Sequence, residues 1–406
     1  MVPEPELTQP PANPGPPTPP QPAPYGPFVP APPTGAWAYG PQPGQYAPPF
    51  PPAPAKPSVL PVEPRAFHEF YRAPAFRWWK PLVSVVIAVI AWGVLGVMVM
   101  FPFILVDVSQ GTLTIDQLAS GKYPITPMIF LGNNLGIVTL IPIALVTHRI
   151  AFGQRAGYLC SIQGRFRWRL FGRFVLFALP VFALGIGWDI FANGLPDLAW
   201  TPHSLSMILI ILLTTPLQSA GEEFGLRGFL PRAIGSYFKA PWLGWAVATV
   251  ISSIVFMLIH GAGDPYLNTF YFCFAVLGSL LVWRTGGLEA AIALHVVNNV
   301  FGLAFVPFED MSGIFDRQAG VGSPIDLVQL VFLAGTLALF WWQAGRQGVP
   351  NTAAPGRVGA DAPGAGPVPQ PGFVPAQLPG QVPPAPWEWN AGQGFDGGRP
   401  PSQSDK

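Results

Sequence analysis

Charge is what this 406-residue chain has least of. Asp, Glu, Lys and Arg make up only 10% of it, against roughly 25% in an average soluble domain. The 21 basic residues are balanced by 20 acidic ones. Neither a basic stripe nor a Gly-rich phosphate loop is present, which excludes a nucleic-acid partner. Cysteine is almost as scarce. Cys160, in a basic connection, and Cys273, in an apolar run, offer neither a disulfide framework nor a thiolate metal site, so both read as packing thiols. Met1 is followed by prolines and acids, not by a basic and then apolar stretch, so the first apolar run is expected to act as its own targeting signal. Self-similarity with a period of about 20–50 residues, the mark of a solenoid, is missing as well.

Apolar residues are what the chain has in excess, at 50% of the total. They fall into runs at 82–106, 125–147, 172–192, 204–221, 242–261, 267–283, 287–306 and 325–343. Each run is near the length needed to cross a hydrocarbon core about 30 Å thick. The expected fold is all-α, a polytopic membrane helical bundle of about eight transmembrane helices with the lipid bilayer as its first partner. Basic residues occupy alternate connections. Arg65, Arg72, Arg77 and Lys80 precede the first run; Arg149, Arg155, Arg165, Arg167, Arg169 and Arg173 follow the second; Arg227, Arg232 and Lys239 follow the fourth; Arg284 follows the sixth and Arg346 the eighth. The remaining connections carry Asp107, Asp116, Asp189, Asp197, Asp264, Glu309, Asp310 and Asp316 against Lys122 and Arg317. The positive-inside rule then puts both termini in the cytoplasm. The excess of Arg over Lys, with abundant Ala, Gly and Pro, resembles the bias of a GC-rich bacterial genome, so a bacterial cell membrane is the expected location.

The flanks are of another kind. Of the first 64 residues 25 are proline, without any apolar period. Residues 1–75 and 347–406 are therefore expected to be disordered Pro-rich cytoplasmic tails around a membrane domain at 76–346. They read as spacers. A stretch such as Pro48-Pro49-Phe50-Pro51-Pro52 could also dock into an aromatic groove as polyproline II, which would add a binder of the tails as a partner.

Polar residues interrupt three of the apolar runs. The fourth ends on Gly221-Glu222-Glu223-Phe224-Gly225-Leu226-Arg227-Gly228. An ionised side chain at mid-membrane costs roughly 2.5–3.5 kcal/mol, so adjacent glutamates need an offset. Glu223 and Arg227 are four apart and share a helix face; Glu222 points about 100° away and is left free for chemistry. The plainer alternative is an ordinary ion pair at a cytoplasmic helix end. His260 falls late in the fifth run, and His295 and Asn299 lie one turn apart in the seventh. Either alone reads as glue between helices, but three such helices are better explained by convergence on one cavity. For Glu222 and His260 to meet, the fourth helix is expected to start beyond Pro216 and run on through Arg232. That would put Glu222 in a cytoplasm-facing cavity lined or approached by Arg227 and Arg232. Asn133 and Asn134 read as helix packing; His68 and His148, in basic cytoplasmic segments, and His203, at an outer helix start, read as bystanders.

Taken together, Glu-Glu-x-x-x-Arg at 222–227, Phe-x-x-x-His at 256–260 and His-x-x-x-Asn at 295–299 resemble the CPBP family of intramembrane proteases. That family includes the CAAX prenyl endopeptidases and bacteriocin-processing or bacteriocin-immunity proteins. The flanks Gly228-Phe229-Leu230 and Gly287-Leu288-Glu289-Ala290-Ala291-Ile292 are similar to the family's as well, and the resemblance covers about residues 200–306. It implies an endopeptidase that hydrolyses a peptide bond of a membrane-associated protein or peptide. Glu222, assisted by His260, would activate water; His295 and Asn299 would donate to the oxyanion; Glu223 and Arg227 would support the helix end. No cofactor is favoured, since no His-Glu-x-x-His helix is present. Glu222, His260 and His295 remain an open alternative as a three-ligand zinc site. Two rivals stand beside the protease. A transporter would show repeated halves, whereas the polar residues here fall in the second half only. A non-catalytic scaffold or bacteriocin-immunity-type protein would carry the motifs without using them.

Overall fold

The computed structural model describes residues 56–121, 123–309 and 317–357. Lys122, Asp310, Asp316 and the Pro-rich stretches, including Pro48 to Pro52, lie outside the described residues. Among those described, eight helices are long and apolar enough to cross a membrane. They are α1 (Trp79–Ser109), α2 (Pro127–Phe152), α3 (Trp168–Asn193), α4 (Ser204–Gly235), α5 (Pro241–Ile259), α6 (Pro265–Thr285), α7 (Glu289–Phe308) and α8 (Pro324–Arg346). Their starts follow helix chemistry. Pro127, Pro241 and Pro265 occupy first turns, where a missing N–H costs nothing. Thr126 Oγ1 accepts from the Ile129 amide at 3.0 Å, and Asp264 Oδ1 accepts from Tyr266 and Leu267 at 2.8 and 3.1 Å. Val86, Ile90, Val97 and Met98 of α1 are all exposed, a continuous apolar face that suits lipid and not water. The protein is a multi-pass membrane protein.

α4 and α7 form the centre. α1 packs on α2 and α2 on α4; α7 lies against α4, α3 and α6; α6 lies against α5 and α8, and α8 closes onto α3. Small residues allow the closest approach. A Cβ on Gly221 would sit 2.6 Å from the Ile137 carbonyl oxygen, so α2 and α4 meet backbone to backbone beside the two glutamates. Gly221→Ala should therefore destabilise the protein by about 1–3 kcal/mol, the usual cost of an overpacked core. Thermal unfolding of the purified variant checks this, and an unchanged midpoint would show that α2 yields freely.

α4 departs from the sequence reading at its start, while its end continues through Arg232 as expected. It starts at Ser204, with Pro216 accommodated inside it, and runs past the glutamates to Gly235. Residues Phe224–Phe229 form a π-helical segment, a widening of the turn that recurs at functional sites. The two arginines do not end the helix because neither reaches for water. Arg227 is buried with its guanidinium 4.1 Å from the Phe256 ring centre, and Arg232, also buried, stacks 3.8 Å from Phe67 and 5.0 Å from Phe70.

The packed unit also extends beyond the expected limits at 76 and 346. Arg65–Ala66 pairs antiparallel with Thr352–Ala353, and Phe67, Phe70 and Tyr71 join a core with Phe152, Leu159, Phe229 and Leu288. These few apolar residues stand among prolines without a period, which is why composition assigned them to a tail. His68 and His148, read as bystanders, are buried pins of this end. His68 Nε2 lies 2.9 Å from the Pro241 carbonyl oxygen. His148 belongs to α2, not to a connection, with Nδ1 3.0 Å from the Tyr71 hydroxyl. Burial, with the nearby Glu289 charge, pushes the Cys160 thiol up to about 11, so it is an inert packing thiol.

Candidate active site

Between α2, α4, α5, α6, α7 and α8 lies a cavity of about 400 Å³, and Glu222, His260 and Asn299 all stand on its wall. Glu222 is fixed by a directional chain of amides. Gln329 Nε2 donates to Asn298 Oδ1 at 2.9 Å, Asn298 Nδ2 to Asn299 Oδ1 at 3.0 Å, Asn299 Nδ2 to Gln218 Oε1 at 3.2 Å, and Gln218 Nε2 to Glu222 Oε1 at 2.5 Å. Every link points its donor toward the carboxylate, so each bond polarises the next in favour of negative charge on Glu222. Asn299 Nδ2 also approaches Ser219 Oγ at 3.3 Å.

Behind Glu222 sits His295. Its Nδ1 lies 2.7 Å from Glu223 Oε1, and its Nε2 faces Glu222 Oε2 at 3.5 Å. Glu223 Oε1 is also 3.1 Å from Arg227 Nη1, a distance of ion pairing without the alignment of a hydrogen bond. All four side chains are buried. His260 is held differently. Its Nδ1 is 2.7 Å from the Phe256 carbonyl oxygen, to which it donates, so its Nε2 carries the free lone pair. The ring stacks on Tyr271 at 4.1 Å, and Arg317 Nη1 donates to the His260 carbonyl oxygen at 2.7 Å.

Residues 202–301 match the family described as Type II CAAX prenyl endopeptidase Rce1-like. That stretch is thus similar to a family of membrane proteases, in keeping with the CPBP resemblance. The matched stretch holds Glu222, His260, His295 and Asn299. The Uncharacterized protein YyaK of Bacillus subtilis (strain 168) is 27% identical over 106 residues, 25% of this chain and 34% of that protein. The chain thus spans about a third of the length of the curated relative it matches. No solved structure matches the chain.

The CPBP motif residues meet in one place, but not in the expected arrangement. Glu222 has His295 as its near imidazole, and His295 lies behind the carboxylate instead of on the cavity wall, because Glu223 captures its Nδ1. Arg227 and Arg232 do not line this cavity. Nor do basic connections line it: its walls run from mid-helix residues such as Trp92, Ile137, Leu140 and Glu222 to the helix ends nearest the acidic connections, at Phe130, Tyr271 and Leu303. Among the described residues, no three His, Cys, Asp or Glu side chains are grouped to hold a metal ion. Within the alternative zinc set, Glu223 holds His295 at Nδ1 and leaves Nε2 toward Glu222 Oε2 at 3.5 Å. Sequence reasoning missed Gln218, Asn298 and Gln329. Gln218 was within reach, one turn before Glu222 on the same face; Gln329 was not, since it depends on how α8 meets α7. Asn134, read as packing, does bond Thr214 Oγ1 at 2.9 Å, yet with Asn133 it also lines the cavity.

Proposed function

We propose that this chain is a CPBP-type intramembrane endopeptidase hydrolysing a peptide bond of a membrane-associated protein or peptide. The observation that carries the reading is a buried carboxylate, Glu222, on the wall of a polar cavity inside a membrane bundle, with an imidazole lone pair on the same wall. In this mechanism Glu222 takes a proton from a cavity water as the water attacks the peptide carbonyl. His260 Nε2 supports that water, and the proton passes on to the leaving amine. Asn299 donates to the oxyanion, exchanging its bond to Gln218 or Ser219 for one to the substrate. His295 orients Glu222 in place of the expected oxyanion role, and Glu223 with Arg227 holds His295. We assign the protein to a bacterial cell membrane with both termini cytoplasmic.

Incubating the purified protein in detergent with membrane-derived peptides tests the activity. Within it, Asn299→Ala should lower turnover roughly 10²–10³-fold, the usual cost of one lost oxyanion donor. Kinetics normalised to folded protein measure this, and wild-type turnover would remove Asn299 from the mechanism.

A further inference from the structure

The bundle has two chemically different ends, and hydrogen bonds between connections establish which loops share each. At one end Arg72 Nη1 donates to the Phe238 carbonyl at 2.6 Å, the Ile162 amide to Gly286 at 2.9 Å, and Gln154 Nε2 to Val59 at 2.8 Å. These connections carry Arg72, Arg77, Arg155, Arg165, Arg167 and Lys239. At the other end the Gly263 amide donates to the Arg317 carbonyl at 2.7 Å, the Ala199 amide to Phe308 at 2.9 Å, and the Gly320 amide to Asp264 Oδ2 at 3.0 Å. These connections carry Asp116, Asp197, Asp264 and Glu309, with Arg317 the basic residue among those described. So strong a bias orients the basic end toward the cytoplasm.

The cavity extends from Glu222 to the acidic end. Phe130 lies in the first turn of α2, Ile259 at the last residue of α5, Tyr271 in the second turn of α6 and Leu303 near the end of α7, while Arg317 comes from the acidic-end connection itself. Amides and a hydroxyl, Asn133, Asn298, Gln329 and Thr215 among them, carry the polar lining in the same direction, as a path for the water that hydrolysis consumes must. Toward the basic end the way is shut. Leu159, Leu288 and Ile292 are buried below Glu222, and the stacked Arg232, Phe67 and Phe70 seal the layer beneath. We infer that the site is entered from the non-cytoplasmic face of the membrane, and that its substrate is a peptide segment presented in the outer leaflet or just beyond it. The substrate part rests on the endopeptidase reading; the direction of entry does not.

The test uses the full chain with Cys160→Ser and Cys273→Ser, carrying one new cysteine at a time: Thr215→Cys or Leu303→Cys in the cavity, Asp197→Cys at the acidic end, or Arg165→Cys at the basic end. A membrane-impermeant charged maleimide is applied to sealed right-side-out membranes, before and after permeabilisation. The expected result is full labelling of Thr215→Cys, Leu303→Cys and Asp197→Cys before permeabilisation, and complete loss of labelling for Arg165→Cys until the membrane is opened. Cavity cysteines that react only after opening, together with Arg165→Cys, would overturn the inference; so would cavity cysteines that react from neither side. Cleavage in detergent, where both faces are exposed, is read separately. Its absence would remove the peptidase reading and the substrate class with it, while the labelling pattern would still decide the direction of entry.

Discussion

Glu222→Gln should reduce peptide cleavage per folded molecule by about 10²–10⁴-fold, the range that general acid–base catalysis supplies. The substitution is nearly isosteric. It retains an oxygen to accept from Gln218 Nε2, so the amide chain from Gln329 keeps its terminus and the fold its packing. What it removes is the ability to take a proton from water and pass it on. Turnover of the purified variant, normalised to protein that unfolds cooperatively, is the measurement. If Glu222→Gln stayed active while Glu223→Gln was folded and dead, the roles of the two carboxylates would be reversed.

Glu223→Gln should fail in a different way, through stability. Glu223 Oε1 serves both Arg227 Nη1 and His295 Nδ1, and all three side chains are buried. Neutralising it leaves a guanidinium without its counter-charge, which typically costs about 3–5 kcal/mol. Denaturant or thermal unfolding in detergent should show that loss. Combining Glu223→Gln with Arg227→Met should recover a large part of it, because the orphaned charge is then gone. A Glu223→Gln protein as stable as the wild type would mean that Arg227 is sustained by the Phe256 and Phe274 rings alone.

The eight spans were legible because runs of Val, Ile, Leu and Ala long enough to cross a bilayer have few other uses. The burial of the charges in the last turns of α4 was not. Glu222, Glu223, Arg227 and Arg232 look in sequence like the surfacing of a helix, and only packing reveals that the charges are paired or stacked within it. The pairing of Glu223 with Arg227 follows from i,i+4 spacing alone, and so does the freedom of Glu222 from Arg227. The place of His295 does not. Its spacing to Asn299 puts both on one face of α7, but which carboxylate of α4 it meets depends on the rotation of α7 against α4. The amide chain is hidden for the same reason, since Gln218, Asn298 and Gln329 come from three helices. The N-terminal edge was missed on other grounds: Phe67, Phe70 and Tyr71 bury well, but they make a single i, i+3, i+4 turn, too short to stand out as a period among the prolines.

The central claim is that this bundle hydrolyses peptide bonds with Glu222 as the base. The most direct measurement is mass spectrometry of membrane-derived peptides incubated in ¹⁸O-water with the purified protein and with Glu222→Gln. The account predicts new termini whose carboxyl groups carry ¹⁸O, formed by the wild-type protein and lost in Glu222→Gln. The same products at the same rate from both proteins, or none from the wild type across peptides spanning both leaflets, would contradict it.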